Sequence, residues 1–215
     1  MATSLSALRK EAAGCRRCDL WKLGTQTVFG EGKRGGLMLV GEQPGDVEDH
    51  EGRPFVGPAG RLLRDLLEEA GIPEQGVYLT NSVKHFKWRP QALARPESAR
   101  ADSGLAHKGK RRIHDRPNWT EIKACDHWLR LELAAVRPVL VLCLGATAAQ
   151  ALLGRSARVG ALRGRTVELE NGLPAQVTIH PSAVLRAGDD RATRRAELLE
   201  DLERARRTLA ELTAA

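Results

Sequence analysis

The five residues from Lys110 to His114, with the sequence Lys-Arg-Arg-Ile-His, combine three cationic side chains with one imidazole. Cationic side chains attract phosphates, and a neutral imidazole is a good nucleophile at physiological pH. Residues 89–109, which precede this stretch, are rich in Pro, Gly, Ser, Ala and Arg, and Pro117 follows it. This context predicts a loop rather than a regular element, with His114 delivered to a phosphate-bearing partner. The plain alternative is a solvated charge run with an incidental histidine.

The cysteines offer a second kind of chemistry. The chain of 215 residues has only four, too few to act as disulfide staples, so metal or redox use is the better interpretation of a pair. Cys15 and Cys18 form a C-x-x-C pair, in which two thiolates point at one ion or cluster from a tight turn. A thioredoxin-like role is disfavoured because no strand is predicted before the pair.

Composition narrows the class of protein. An apolar content of 42% suits a globular core, and the length favours one domain over residues 1–215. The formal net charge of +7 is consistent with a polyanionic partner. No long apolar run and no signal peptide are found, so we expect a cytoplasmic protein that does not enter a membrane. We also expect a monomer.

Buried strands alternate with amphipathic helices, which predicts an α/β fold: a three-layer α/β/α sandwich around a central four-stranded parallel sheet. Apolar runs predict core strands at 37–41, 77–81, 139–145 and 176–180, with a peripheral strand within 163–169. Helices are predicted at 4–13, at about 60–70, from Asn118 to Pro138, in a short segment ending at Gly154, and after Asp189 or Asp190. Residues 89–109 are predicted to be a long mobile insertion.

The carboxyl ends of the predicted strands carry polar residues. In open parallel sheets, ligands bind beyond these ends. Glu42 with Gln43, Asn81, Gly145 and His180 occupy the four positions. Three of the four ends therefore carry side chains suited to recognition, although local capping would also explain Asn81 and His180.

Motifs at these positions resemble those of the uracil-DNA glycosylase superfamily. They are Gly-Glu-Gln-Pro-Gly at 41–45, Gly-Arg-Pro-Phe-Val-Gly at 52–57, Thr-Asn-Ser-Val-Lys at 80–84, Leu-Gly-Ala at 144–146 and His-Pro-Ser at 180–182. The C-x-x-C pair resembles the iron–sulfur branch. Lys-Arg-Arg-Ile-His resembles the family-X enzymes, which are similar to family 4 but become covalently attached to DNA. The resemblance runs from about Cys15 to the C-terminal helix, and the long segment 89–109 is its departure.

The resemblance implies a [4Fe–4S] cluster with four protein ligands. Cys15, Cys18 and Cys125 match three of them, and His85 stands where family 4 has a cysteine. We assign His85 as the fourth ligand because imidazole replaces thiolate on iron in Rieske centres. Cys143 is the alternative, but it lies in an apolar strand, where a free cysteine is usually a small core residue. The expected role of the cluster is structural, with a redox role left open.

The implied reaction breaks the C1′–N1 bond of a flipped uracil, which leaves an oxocarbenium-like sugar and an anionic base. Phe55 is expected to stack on the base, and the amide of Asn81 to match O4 and N3–H, a pattern that cytosine lacks. His180 is expected to donate to O2 as negative charge grows there.

The loop after the first core strand is expected to bind the other edge of the base through backbone N–H groups. Gly41, Gln43 and Asp46 are the contacts assigned there, and Gln43 is also counted among the catalytic residues. Ser182 is expected to cap the next helix or bind a DNA phosphate. Lys84 is expected to pair with DNA or to be exposed.

In family X the histidine of the Lys-Arg-Arg-Ile-His motif captures the sugar in place of water, so the resemblance makes His114 the nucleophile. Glu42 is the candidate that orients its ring. Lys110, Arg111 and Arg112 are expected to hold the flanking phosphates. The implied partner is uracil-containing DNA, single-stranded, with double-stranded DNA left open.

Two other functions remain open from the sequence. One is a conventional iron–sulfur uracil-DNA glycosylase in which water is the nucleophile and His114 merely contacts DNA. The other is a non-catalytic iron–sulfur module that binds DNA and releases no uracil.

Overall fold

The computed structural model describes residues 4–90 and 112–214. The strands are β1 (Glu31–Gly32), β2 (Leu37–Gly41), β3 (Val77–Asn81), β4 (Trp88–Pro90), β5 (Arg112–His114), β6 (Leu140–Leu144), β7 (Thr166–Glu168) and β8 (Pro174–Thr178). The α-helices are α1 (Leu5–Ala12), α2 (Asp46–Glu51), α3 (Pro58–Glu69), α4 (Trp119–Val136), α5 (Ala146–Leu153), α6 (Val159–Leu162), α7 (Pro181–Leu185) and α8 (Arg191–Ala214).

The main sheet has six strands in the order β1-β3-β2-β6-β8-β7. Strands β3, β2, β6 and β8 pair in parallel, which confirms the predicted centre of the sheet. The predicted count of four was wrong for the whole sheet, because β1 and β7 add antiparallel edges. Strand β1 has only two residues and no alternating pattern, so periodicity could not reveal it.

Side chains of the central strands alternate between two apolar layers, as the two-residue period of a strand requires. Leu37 and Leu39 pack in the layer that contains α3 and α8. Met38 and Val40 pack in the other layer, with α4 and α5. The predicted α/β/α sandwich is therefore confirmed. No helix in the two described ranges is long and apolar enough to cross a bilayer.

The ends of α4 follow the sequence signals. Asn118 Oδ1 accepts from the Glu121 backbone N–H at 2.9 Å, and the Glu121 carboxylate accepts from the Asn118 N–H at 2.7 Å. This is the predicted capping box, and it satisfies two backbone donors at the helix start. The helix ends at Val136, and Arg137 takes a left-handed conformation with φ of 52° before Pro138.

A small hairpin carries the histidine of the basic stretch. Strand β5 pairs antiparallel with β4, and His114 lies opposite Trp88. The prediction of an irregular loop was wrong for residues 112–114, because pairing with β4 satisfies their backbone. Lys110, Arg111 and most of the predicted insertion lie outside the described residues.

Candidate active site

His114 and Glu42 meet at the carboxyl end of the parallel sheet. The Nε2 atom of His114 lies 3.3 Å from Glu42 Oε1, and the Thr147 hydroxyl donates to Oε2 of the same carboxylate. Burial alone would raise the pKa of Glu42, but the contacts with His114 and Thr147 outweigh it and lower the pKa to about 2. Glu42 is therefore an anion at neutral pH, and it faces a half-exposed imidazole.

Thr147 and Arg116 are site residues that sequence reasoning missed. Arg116 Nε lies 3.3 Å from the Thr147 hydroxyl and 3.8 Å from Glu42 Oε2. Thr147 follows the Leu-Gly-Ala motif directly, so its place after a strand end was an available signal. Arg116 lies two residues after His114 and had no motif of its own.

His180, unlike Glu42, carries no charge at neutral pH. Burial lowers its pKa to about 4, so its ring is neutral at physiological pH. The Ser182 backbone N–H donates to Nδ1 at 3.1 Å, and the Ser182 hydroxyl lies 2.7 Å from the same atom. Because Nδ1 accepts, the proton of the neutral ring belongs on Nε2. His180 thus offers an N–H donor and is itself the N-cap of α7, whereas Ser182, predicted as the cap, lies in the first turn and fixes the His180 tautomer.

Phe55, Gly41 and Asn81 form one packed group beside His180. The Phe55 ring stacks on the His180 ring with centroids 6.4 Å apart. Its φ of 57° is a backbone conformation that bulky residues rarely adopt, as expected where function outweighs local strain. A Cβ on Gly41 would collide with both the Asn81 amide oxygen and the Phe55 ring, so only glycine permits this approach. The structure thus brings these three predicted base-binding residues together.

Gln43 uses its side chain to hold the hairpin. Its amide nitrogen donates to the carbonyls of Lys87 (3.1 Å) and Asp115 (3.0 Å), and its amide oxygen accepts from the Lys87 N–H at 3.1 Å. These residues flank β4 and β5. The side chain is therefore committed to positioning, and the backbone of Gln43 is the part left for a base.

Arg112 does not project toward solvent. Its side chain is only 14% exposed, and its guanidinium contacts Asp46 Oδ1 at 2.5 Å and Asp49 Oδ2 at 2.7 Å. Asp46 was assigned above to base binding through its backbone N–H, and its carboxylate is engaged by this pair. The structure therefore gives Arg112 two carboxylate partners where the sequence predicted DNA phosphates.

The expectation for Lys84 was wrong, because its side chain is fully buried. Its ammonium contacts the Glu132 carboxylate and donates to Thr80 Oγ1 and the Asn81 carbonyl, each at 2.7 Å. A buried charge needs such a partner, and Glu132 shares the inward face of α4 with Leu129. The three-residue spacing between Leu129 and Glu132 was the signal in the sequence that Glu132 is buried.

Three predicted ligands of the cluster lie around one apolar corner between α1 and α4. Cys15 Sγ accepts from the Trp128 indole N–H at 3.1 Å, and Cys125 Sγ accepts from the Lys84 backbone N–H at 3.2 Å. All are free thiols, and burial raises the pKa of Cys18 and, to about 12, that of Cys125. N–H donors aimed at sulfur suit thiolates bound to iron.

The predicted fourth ligand, His85, is a buried side chain. His85 is 4% exposed, and burial lowers its pKa, which favours the neutral imidazole that binds metals. Within residues 4–90 and 112–214, no group of three or more His, Cys, Asp or Glu side chains is close enough to hold one metal ion. The ligands of a cubane each bind a different iron and so lie farther apart. Cys143 is buried in a different apolar cluster from Cys125.

Comparison with known proteins assigns the family. The profile described as "UDG: Uracil DNA glycosylase superfamily" matches residues 29–203. The Type-4 uracil-DNA glycosylase of Thermotoga maritima is 34% identical over 194 residues, 89% of this chain and 88% of the relative. Those of Archaeoglobus fulgidus and Pyrobaculum aerophilum are 33% and 34% identical over 190 residues, covering 85% of this chain and 83% and 85% of the relatives. With its motifs at the strand ends and this likeness over most of its length, the chain belongs to the uracil-DNA glycosylase superfamily.

Proposed function

We propose that this protein removes uracil from DNA as a repair glycosylase and then captures the exposed sugar covalently through His114. The contact between His114 and the anionic Glu42, at the sheet edge that also carries His180 and Asn81, is the observation that supports it most directly. The names of the Type-4 relatives support the uracil-releasing half of the proposal.

Base release rests on three groups. Phe55 provides a ring face for the flipped uracil, and the amide of Asn81 provides a donor and an acceptor for O4 and N3–H. As the C1′–N1 bond breaks, its electron pair stays with the base, and the Nε2–H of His180 hydrogen-bonds the growing negative charge at O2. A neutral donor suits this task, because its proton remains on the ring at physiological pH.

Capture then follows at the sugar. A ring nitrogen of His114 donates its lone pair to the electron-poor C1′, forming a C–N bond, and the ring becomes an imidazolium. Glu42 stabilises that charge or accepts the remaining ring proton. Attack by Nδ1 preserves the observed contact between Nε2 and Glu42, whereas attack by Nε2 requires the ring to turn away from the carboxylate.

We further propose that Cys15, Cys18, Cys125 and His85 hold a [4Fe–4S] cluster. The three thiols gather at one corner with N–H donors on two of them, and His85 follows Lys84, whose backbone donates to Cys125. When bound, the cluster supplies covalent iron–ligand ties between the N-terminal segment, the turn after β3 and α4.

A conventional glycosylase is the second candidate, favoured by the names of the relatives. In that case Glu42 activates a water molecule against C1′, and His114 only orients the carboxylate. Glu42 is suited to this role as well, because it is ionised and partly open to solvent.

One experiment separates the two candidates. The protein is mixed with a single-stranded oligonucleotide that contains one uracil, and the products are resolved on a denaturing gel. Capture predicts a band shifted by the mass of the protein, with the sugar adduct found on His114 by mass spectrometry. Free abasic DNA without any shifted band would support the water mechanism, and absence of free uracil would refute both.

A further inference from the structure

A cavity opens beside the reaction centre. It measures about 360 Å³, and its walls are built from Arg116, Pro117, Trp119, Ile122, Arg155 and Arg158, together with Gln150. We call it the arginine groove. Among the residues that the structure describes, its lining combines three guanidinium groups with an indole and contains no carboxylate.

The charge of this groove is largely uncompensated. Arg155 and Arg158 are exposed and make no ion pair with a carboxylate of the described residues. A cavity of similar size, about 380 Å³, is also lined by arginines, but there Arg163, Arg194 and Arg204 pair with Glu197, Glu200 and Asp201. Crowding unpaired cations costs free energy that an anionic ligand would offset. The arginine groove alone of the two is therefore suited to an anion.

The groove starts at the wall of the reaction centre. Arg116 lines it and also lies 3.8 Å from Glu42 Oε2 and 3.3 Å from the Thr147 hydroxyl. A strand whose nucleotide is held with its sugar against His114 would thus place a flanking phosphate near Arg116.

The aromatic wall adds a surface for a base or a sugar. The ring of Trp119 is partly exposed, with Arg155 and Lys123 each 5.9 Å from its centroid. Indole faces combined with cations are the usual means by which proteins bind single strands without reading sequence. Pro117 and Ile122 extend the apolar part of the wall.

We propose that the arginine groove binds the single-stranded DNA on one side of the flipped uridine, with phosphates on Arg116, Arg155 and Arg158 and a base or sugar against Trp119. This inference rests on the proposed function, since it extends the substrate of the same site. It assigns the groove a role in holding the strand, separate from the chemistry at His114.

The test measures equilibrium binding to fluorescent oligonucleotides that carry 2′-fluoro-deoxyuridine, which resists cleavage. Three probes are compared: a short one with a single flanking nucleotide on each side, one extended on the 5′ side and one extended on the 3′ side. Wild-type protein is expected to bind one extended probe more tightly than the short probe. Trp119→Ala and Arg155→Ala should each weaken that extended binding about tenfold, near one stacking or charged contact, and leave the short probe unchanged.

Arg194→Ala is the matched control, because Arg194 is a half-exposed arginine that lines the second cavity. It should bind every probe as the wild type does. The inference is overturned if Trp119→Ala and Arg155→Ala keep the full gain from extension, or if they weaken the short probe equally. Failure to release uracil from a cleavable probe would instead count against the proposed function, since binding to the uncleavable probes is measured separately.

Discussion

Two histidines share this cleft, and their neighbours give them different chemistry. His180 has a lowered pKa and accepts from Ser182 at Nδ1, so it is a neutral donor suited to the charge on a leaving base. His114 is half-exposed and faces the carboxylate of Glu42, which suits a ring that becomes cationic. The different roles proposed for the two histidines, at the leaving group and at the sugar, thus rest on Ser182 beside one ring and Glu42 beside the other.

Replacing His114 tests the nucleophile. His114→Ser should release uracil over many turnovers without forming a shifted band, because the smaller side chain admits water to C1′ and removes the capturing nitrogen. Uracil release and the denaturing gel are followed on the same reactions. His127→Ser, on α4 against Trp128, serves as the control and should capture DNA like the wild type. Persistent denaturation-resistant complexes with His114→Ser would show that another residue is the nucleophile.

The two shifted pKa values predict loss of stability in acid. The folded pKa of His180, about 4, lies below its ordinary 6.5, so the unfolded chain binds a proton that the folded chain excludes. Its contribution is present above about pH 6.5 and is lost as the pH falls toward 4. The pKa of Glu42 is lowered from 4.5 to about 2, so its contribution to stability is present above about pH 4.5 and is lost as the pH falls toward 2. Each contributes at most about 3 kcal/mol.

Urea unfolding between neutral pH and about pH 4 measures this effect. The free energy of unfolding should fall with pH, and His180→Asn should flatten the slope in that window. Glu42→Gln should leave that window largely unchanged and flatten the curve only at lower pH. A slope that stays the same in His180→Asn would show that other groups govern the acid sensitivity.

At the scale of elements, the β4–β5 hairpin is the part that brings the proposed nucleophile to the sheet. Gln43, in the loop after β2, hydrogen-bonds to the open end of the hairpin. Arg112 links β5 to Asp46 and Asp49 on α2 through ion pairs. Asn81 and His180, the residues proposed to bind the base, belong to other elements. The side chains that position His114 are therefore distinct from those of Asn81 and His180, which are proposed to bind uracil.

This separation predicts a selective effect of Arg112→Ala. The variant should slow covalent capture about tenfold to a hundredfold, because His114 loses its fixed position, while release of uracil changes little. Single-turnover rates of both steps, measured on one substrate, provide the comparison. Arg53→Ala, which removes an exposed pair with Glu31, is the control and should leave both rates unaltered. Equal slowing of both steps in Arg112→Ala would contradict a role confined to the hairpin.

The buried pair of Lys84 and Glu132 joins β3 to α4. Lys84→Met should reduce the free energy of unfolding by about 3–5 kcal/mol, because it leaves a buried carboxylate without its cation. Adding Glu132→Gln should recover part of the loss, since the amide oxygen still accepts from Gly30 and Tyr78. Urea midpoints measure both. Arg195→Met, at an exposed pair, should not move the midpoint, and a Lys84→Met variant as stable as wild type would refute the pairing argument.

At the scale of the whole molecule, the sequence predicts those features that repeat or that use backbone signals. Apolar runs located β2, β3 and β6, and the capping box located the start of α4, because each signal lies within a few residues. Polar residues at strand ends located Glu42, Asn81 and His180, since parallel strands bring their carboxyl ends to one edge.

Features that depend on partners far away in the chain could not be predicted from the sequence. Lys84 was predicted to pair with DNA or to be exposed, because its partner Glu132 is 48 positions away on another element. Arg112 was predicted to bind phosphates, whereas its carboxylate partners belong to α2. This helix has only six residues, too few for a hydrophobic period to indicate it in the sequence. Thr147 was not predicted as a site residue, because its partner Glu42 is distant in the sequence and is brought beside it only by the fold.

The apolar corner that contains Cys15, Cys18 and Cys125 joins segments from three parts of the chain. Removing one ligand of the proposed cluster should therefore destabilise the whole molecule. Cys125→Ser should lose most bound iron and the visible absorbance of a cluster, and should lower the urea midpoint, because the ties between the N-terminal segment and α4 are lost. Cys143→Ser is the matched control: its thiol is buried in β6 within a different apolar cluster, so iron content should stay at the wild-type level even where stability falls. His85→Ala should reduce iron content if the imidazole is the fourth ligand. Full iron content in Cys125→Ser, or loss of iron in Cys143→Ser, would reassign the ligand set.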